Sequence, residues 1–318
     1  MQVENGLTVS QTAAALPGRG HGVLLHPSQR ETAWVISRRP GTSALQVELG
    51  TGKVLRLIES EESRHFYGHA CYSEDGKTVF TTENDIDTGQ GIISVRDADD
   101  FRLLDEYASH GIGPHELLLM PDGATLAVAN GGIKTFPETG RVKLNRGRIV
   151  SSLAYLDSRT GKLLGLYEVP LPQSSLRHLA VTPEGHVAGA MQFEGDKNGK
   201  GQALVIFHRG ERTLQVAAAP QQDWDAMANY AASIAYDKAS GHFVITCPLG
   251  DAIAFWHVQK GYAGLLRLPK ASGIVFNESG GYVSNELGEI HELDLDKRKL
   301  KLHARLERLQ WDNHLYSL

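Results

Sequence analysis

Apolar residues along this chain fall in short runs, each closed by Gly, Pro, Asp or Ser, and no long stretch repeats them at the spacing of an amphipathic helix. Runs of this kind read as β-strands. From His21 onward they come in fours: GVLLHP, TAWVISR, ALQVEL, KVLRLIE; then HACYS, TVFTTE, GIISVRD, RLLDEYA; then ELLLMP, TLAVAN, SLAYLD, LLGLYEV. The order continues in HLAVTP, HVAGAMQ, ALVIFH, LQVAAA, then SIAYD, HFVITC, AIAFWHV, GLLRL, and finally GIVFN, GYVSNE, EIHELD, LKLHARL.

Each set opens on the same pattern, clearest in SHGIGPHELLLMPDG at Ser109–Gly123: a polar residue, four or five mostly apolar ones, then an acidic-Gly turn. His21, His69, His115 and His178 start four copies at intervals of 48, 46 and 63 residues; Ser233 and Ser272 start two weaker ones. A seventh start is read in the terminal Trp311-Asp312-Asn313-His314. A period near 45 residues belongs to propeller blades rather than helical repeats. The chain is therefore expected to be all-β, a seven-bladed β-propeller in a single domain over residues 1–318. Its ring would be closed in an incomplete seventh blade by the N-terminal LTVSQTAAALP and the C-terminal WDNHLYSL, which removes exposed edges. The strand that blade lacks is expected upstream of the first residue.

Composition narrows the functions. A net charge of −5 leaves no basic footprint, which argues against nucleic acid. The basic run Lys297–Lys301 lies between two strands and reads as a solvated hairpin flank. Cys71 and Cys247 share no metal-type or disulfide spacing. No apolar run reaches the roughly 20 residues that span a bilayer, and no export leader is visible.

In up-and-down blades the start of the first strand and the end of the second lie at one end of the sheet, because successive strands run antiparallel. That end should gather His21, His69, His115, His178 and His314, with the polar loops that follow the second strands. Converging imidazoles suit a transition metal such as Cu, Fe or Zn. Glu83 and Glu116 could ligate or fix imidazole tautomers. His110, Arg177, Asn229 and Asn313 are expected at the rim, with Tyr230 beside Asn229. Arg19, Arg38 and Arg177 are candidate anion ligands. Register argues against full convergence. His21 and His115 stand six residues before a turn proline and His178 five, and adjacent strand residues point oppositely. The plainer alternative is that each His caps its own strand by bonding a neighbouring backbone.

No nucleophile elbow, P-loop, dinucleotide-binding glycine pattern or zinc-protease helix motif is present. The strings RGHGVLLHP, YGHACYSEDGKTVFTTENDIDTGQGIISVRD, SHGIGPHELLLMPDGATLAVANGG, LRHLAV, NYAASIAY and WDNHL resemble the bacterial family called domain of unknown function 1513. That family is in turn similar to YVTN-type, WD40-like seven-bladed propellers. The resemblance implies a periplasmic location and company with metal- or haem-handling proteins. Together these readings give a metal-binding accessory protein in iron or copper acquisition. Two alternatives stay open: a metal-assisted, lactonase-like hydrolase, and an interaction scaffold without metal.

Overall fold

The computed structural model describes residues 2–4, 7–140, 142–196 and 199–317. The chain is an all-β β-propeller of six blades, each a four-stranded antiparallel sheet whose strands follow one another in order. The repeat therefore fixes the blades where the apolar runs placed them.

One compact unit covers Thr12–Arg177 and carries three blades. Blade one is Gly20–Leu25, Thr32–Ser37, Ser43–Glu48 and Val54–Glu59. Blade two is Arg64–Tyr72, Thr78–Asp85, Gly91–Asp97 and Leu103–Ala108. Blade three is Pro114–Leu119, Thr125–Asn130, Ser152–Asp157 and Leu163–Glu168. The other unit takes in the N-terminal stretch up to Gln11 and His178–Ser317, the division falling inside the strand Ser174–Val181. Its sheets are Ser174–Val181, Val187–Phe193, Val205–His208 and Gln215–Val216; then Ser233–Asp237, His242–Cys247, Ala252–His257 and Gly261–Arg267; then Ala271–Asn277, Gly280–Asn285, Glu289–Asp294 and Lys299–Arg305.

Within each unit the core lies in slabs between successive blades. Trp34, Ile36, Phe66, Val79 and Phe101 fill the slab between blades one and two; Phe80, Ile93, Leu117, Leu126 and Val128 fill the next. Trp256, Phe243 and Ile245 pack against Ala188, Ala190 and Val205, and Phe255 and Val244 against Ile274 and Val283. Second strands such as Thr125–Asn130 face a slab on both sides and are buried almost throughout. That is why their sequences run apolar instead of alternating. Fourth strands such as Val54–Glu59 and Leu103–Ala108 lie mostly in solvent. The acidic-Gly turns are explained locally: Asp122 Oδ1 accepts the N–H groups of Ala124 and Thr125 at 2.9 Å, and Gly123 takes φ 68°. The basic run behaves as a hairpin flank, with Lys297 paired to Asp294 at 2.9 Å.

The expected seventh blade, closed by both termini, does not form. Gln2–Glu4 and Leu7–Ser10 pair with each other, and no strand occurs in Trp311–Ser317, the described part of the terminal stretch; Leu318 lies outside the described residues. A hairpin saturates that ladder locally, whereas pairing the two ends closes a loop of most of the chain and costs more entropy. The tail instead lies along the first strand of blade six, where a Cβ on Gly273 would fall 2.9 Å from the Leu315 amide nitrogen. The fold also holds one short helix the runs did not reveal, Gln221–Ala226, inside the polar entry to blade five.

Candidate metal centre

The ladders that hold the first strands are broken at the histidines. In blade one the pairing steps from Gly20↔Ser37 to Val23↔Val35, three residues against two. In blade two it steps from Phe66↔Glu83 to Ala70↔Thr81, four against two, and in blade three from Pro114↔Asn130 to Glu116↔Ala129, two against one. Each surplus stretch contains a histidine: His21, His69 or His115. A β-bulge re-aims the side chains it inserts. The turn-to-His count therefore does not decide where these rings point, and the expectation that alternation keeps them apart is corrected.

Within this unit the three rings meet. Ring centroids of His21 and His69 are 4.8 Å apart, those of His21 and His115 5.3 Å, and those of His69 and His115 5.2 Å. All three residues are buried. Close approach depends on small residues. Gly68, at φ 115°, leaves the space the His21 ring fills, and Gly22 lies so near the Gly68 carbonyl that a Cβ there would be 2.4 Å from its oxygen. Thr82 secures the bulges: its hydroxyl accepts the His69 N–H at 3.3 Å and lies 3.2 Å from the His69 carbonyl and 3.4 Å from that of His115.

Glu116 Oε1 lies 3.3 Å from His69 Nδ1, the kind of contact by which a carboxylate can orient an imidazole.

His178 and His314 pair in the same way, with centroids 4.9 Å apart.

The remaining expected residues are distributed differently. Glu83 is fully buried and bound to Arg96 Nη2 at 2.8 Å, so its carboxylate belongs to a core ion pair. His110 is exposed, in the left-handed conformation at φ 56°. Arg177 is buried in the strand residue before His178. Asn229 uses its side-chain oxygen to accept the Gln202 N–H at 2.8 Å, a loop-holding role. Asn313 reaches the Tyr230 hydroxyl at 3.5 Å.

In blade six the polar loop after the second strand is a carboxylate clamp. Glu289 accepts hydrogen bonds from Asn285 Nδ2 at 2.7 Å, from His291 Nε2 and from Arg305. Burial works against the anion, but these donors outweigh it and hold the carboxyl down at about 2 from its ordinary 4.5. A depressed folded-state value adds stability above the unfolded value, and that stability is lost as pH falls toward 2. Discounted for the exposure of Arg305, it is about 1–3 kcal/mol. Urea midpoints measured from pH 6 down to 3 should therefore fall more steeply for the wild type than for Glu289→Gln, and the two curves should converge at the acid end. Parallel curves would contradict the clamp.

The chain belongs, over residues 14–318, to the family described as "Protein of unknown function (DUF1513)". None of the curated proteins matches it. Membership agrees with the resemblance carried by the His-bearing strings, while the blade count is six. No described helix is long and apolar enough to cross a membrane.

Proposed function

We propose, for a family whose description assigns no activity, that this β-propeller binds a transition-metal ion at its clustered imidazoles, among them His21, His69 and His115, and serves as an accessory protein in periplasmic iron or copper handling. The observation that carries the reading is the mutual approach of the buried His21, His69 and His115 rings, with centroids 4.8, 5.3 and 5.2 Å apart. A tetrahedral ion with bonds of roughly 2.0–2.1 Å needs nitrogens about 3–4 Å apart. An all-imidazole donor set suits Cu, Zn, Fe or Ni and disfavours Mg and Ca, which prefer oxygen. The Glu116 contact to His69 supplies the supporting carboxylate that ligating histidines commonly have. Location and partners rest on the family resemblance: metal- or haem-handling proteins of the same compartment.

The test is metal analysis of protein stripped with chelator and reloaded separately with Cu(II), Zn(II) and Fe(II). Wild type is expected to retain about one equivalent of a metal after gel filtration, and the His21→Ala/His69→Ala variant less than about a tenth. Retention below a tenth by folded wild type, or equal retention by the variant, removes the proposal.

A further inference from the structure

Each blade leaves its fourth strand as an edge, and in blade three that edge carries an exposed apolar face. The sheet ends on Leu163–Glu168, whose outer side pairs with no other described strand. Alternation divides its side chains between two faces. On one, Leu163 packs against the core between blades two and three, and the Tyr167 ring lies with its centroid 5.9 Å from that of Tyr155. On the other, Lys162, Leu164, Leu166 and Glu168 are all exposed, the two leucines at 54% and 48%. Single exposed leucines need no explanation, but two in a row on one face form a patch. Lys162 and the bulge at Leu164 discourage unspecific strand addition, so a partner must match the pattern.

That pattern is complementary to itself. Set against its own reverse, the strand brings Lys162 opposite Glu168, Leu164 opposite Leu166 and Gly165 opposite Gly165. A twofold axis at Gly165 therefore puts two leucine pairs between two pairs of opposite charges, with no side chain at the axis itself. Among the described residues neither the Lys162 nor the Glu168 side chain has an ion pair of its own. The other two edges of this unit lack one part or another of the arrangement. Blade one repeats the spacing in Lys53, Leu55, Leu57 and Glu59, but Arg56 stands at the midpoint, where a twofold would set two guanidinium groups together, and Glu59 already accepts the Thr42 hydroxyl at 2.9 Å. Blade two has Leu104 without a second leucine, and Glu106 is held by Arg64 at 3.0 Å.

We infer that the protein forms a twofold dimer through the fourth strand of blade three, with Leu164 and Leu166 of one copy packed antiparallel on Leu166 and Leu164 of the other and Lys162 paired to Glu168 at each end. A second copy presents the matching order by symmetry alone. The contact is isologous, so it closes at two copies and does not grow into a fibre. One strand face is small beside the roughly 1,200–2,000 Å² of a stable complex, so the association is weak, in the micromolar range.

The experiment is sedimentation velocity of full-length protein from about 1 to 200 µM at about 0.15 M salt, with chelator present so that metal-bridged association drops out. Wild type is expected to pass from monomer to dimer as concentration rises. Lys162→Glu and Glu168→Lys should each weaken dimerisation by about tenfold or more, because symmetry turns both attractive pairs into repulsive ones. An equimolar mixture of the two variants should regain the dimer, and so should the double variant Lys162→Glu/Glu168→Lys, since each restores opposite charges at both ends. Lys53→Glu, on the like-patterned edge of blade one, should associate as wild type does. These positions are exposed, so all the variants should melt with wild type. The proposal is overturned by wild type that stays monomeric at the top of the range, by oligomers larger than two, by charge reversals that leave the dimer unchanged, by a mixture that fails to regain it, or by equal loss in Lys53→Glu. None of these outcomes bears on the imidazole cluster, so the two readings fail separately.

Discussion

Arg96→Ala is expected to destabilise the protein by about 3–5 kcal/mol, the range found when one partner of a buried ion pair is removed. Arg96 sits in the third strand of blade two with no exposed surface. Its Nε and Nη2 reach Glu83 Oε1 at 3.2 and 2.8 Å, Nη1 reaches the Phe101 carbonyl at 3.2 Å, and Glu61 takes the outer edge of the guanidinium. Phe66 and Phe101 sandwich it, each with its centroid 5.4 Å from the guanidinium carbon. Truncation strands the Glu83 carboxylate inside the slab between blades one and two and empties the space between two rings.

The pH dependence separates these two costs. Burial already pushes the Glu83 carboxyl upward, with Arg96 as the main opposing influence. In the variant that opposition is gone, so the folded value, already raised, rises further and the carboxyl folds protonated. Such a group is tolerated below the unfolded value and costs stability as pH rises past it. Urea melts should accordingly show a larger deficit at pH 8 than at pH 5. Glu83→Leu/Arg96→Met, which removes both charges and keeps the volume, should recover most of the loss. A single-variant deficit under about 1 kcal/mol would mean that the pair is not what holds blade two against blade one.

Glu83 marks the boundary of what the chain makes legible. The period of apolar runs, the acidic-Gly turns and the four-strand sets follow from local chemistry, and all six described blades fall where those runs lie. The end of the blade that carries the histidines was equally accessible, because antiparallel order alone decides it. Which side chains face the cluster depends on bulges, and a bulge is a ladder property with no signature in a strand read alone. His69 reaches His21 although strict alternation would divide them. Glu83 sits at the right strand end, yet the surplus residues of the bulge lie on the first strand opposite it, its own pairing with the third strand is unbroken, and it reaches Arg96. The terminal strands failed for a different reason: both read as β, and only the entropy of closure separates a local hairpin from a closing blade.

Gly68→Ala should disable the imidazole cluster from outside its ligand set. At φ 115° any side chain is strained, by about 1–3 kcal/mol. The added Cβ would also stand 2.5 Å from His21 Cδ2 and 2.9 Å from its Cβ, too close for ring rotation alone to relieve. The His21 main chain must shift, and Gly22 blocks one direction because it already abuts the Gly68 carbonyl. Metal retention is therefore expected to fall at least as far as loss of a supporting contact brings it, 10–100-fold in affinity. Gly76→Ala is the matched control. It carries a similar positive φ of 70° but would meet only the His26 ring, at an ordinary 3.6 Å. It should show the strain cost with metal affinity unchanged. Equal metal affinity in the two variants would show that the space at Gly68 does not position His21, and the bulge account of convergence would fail with it.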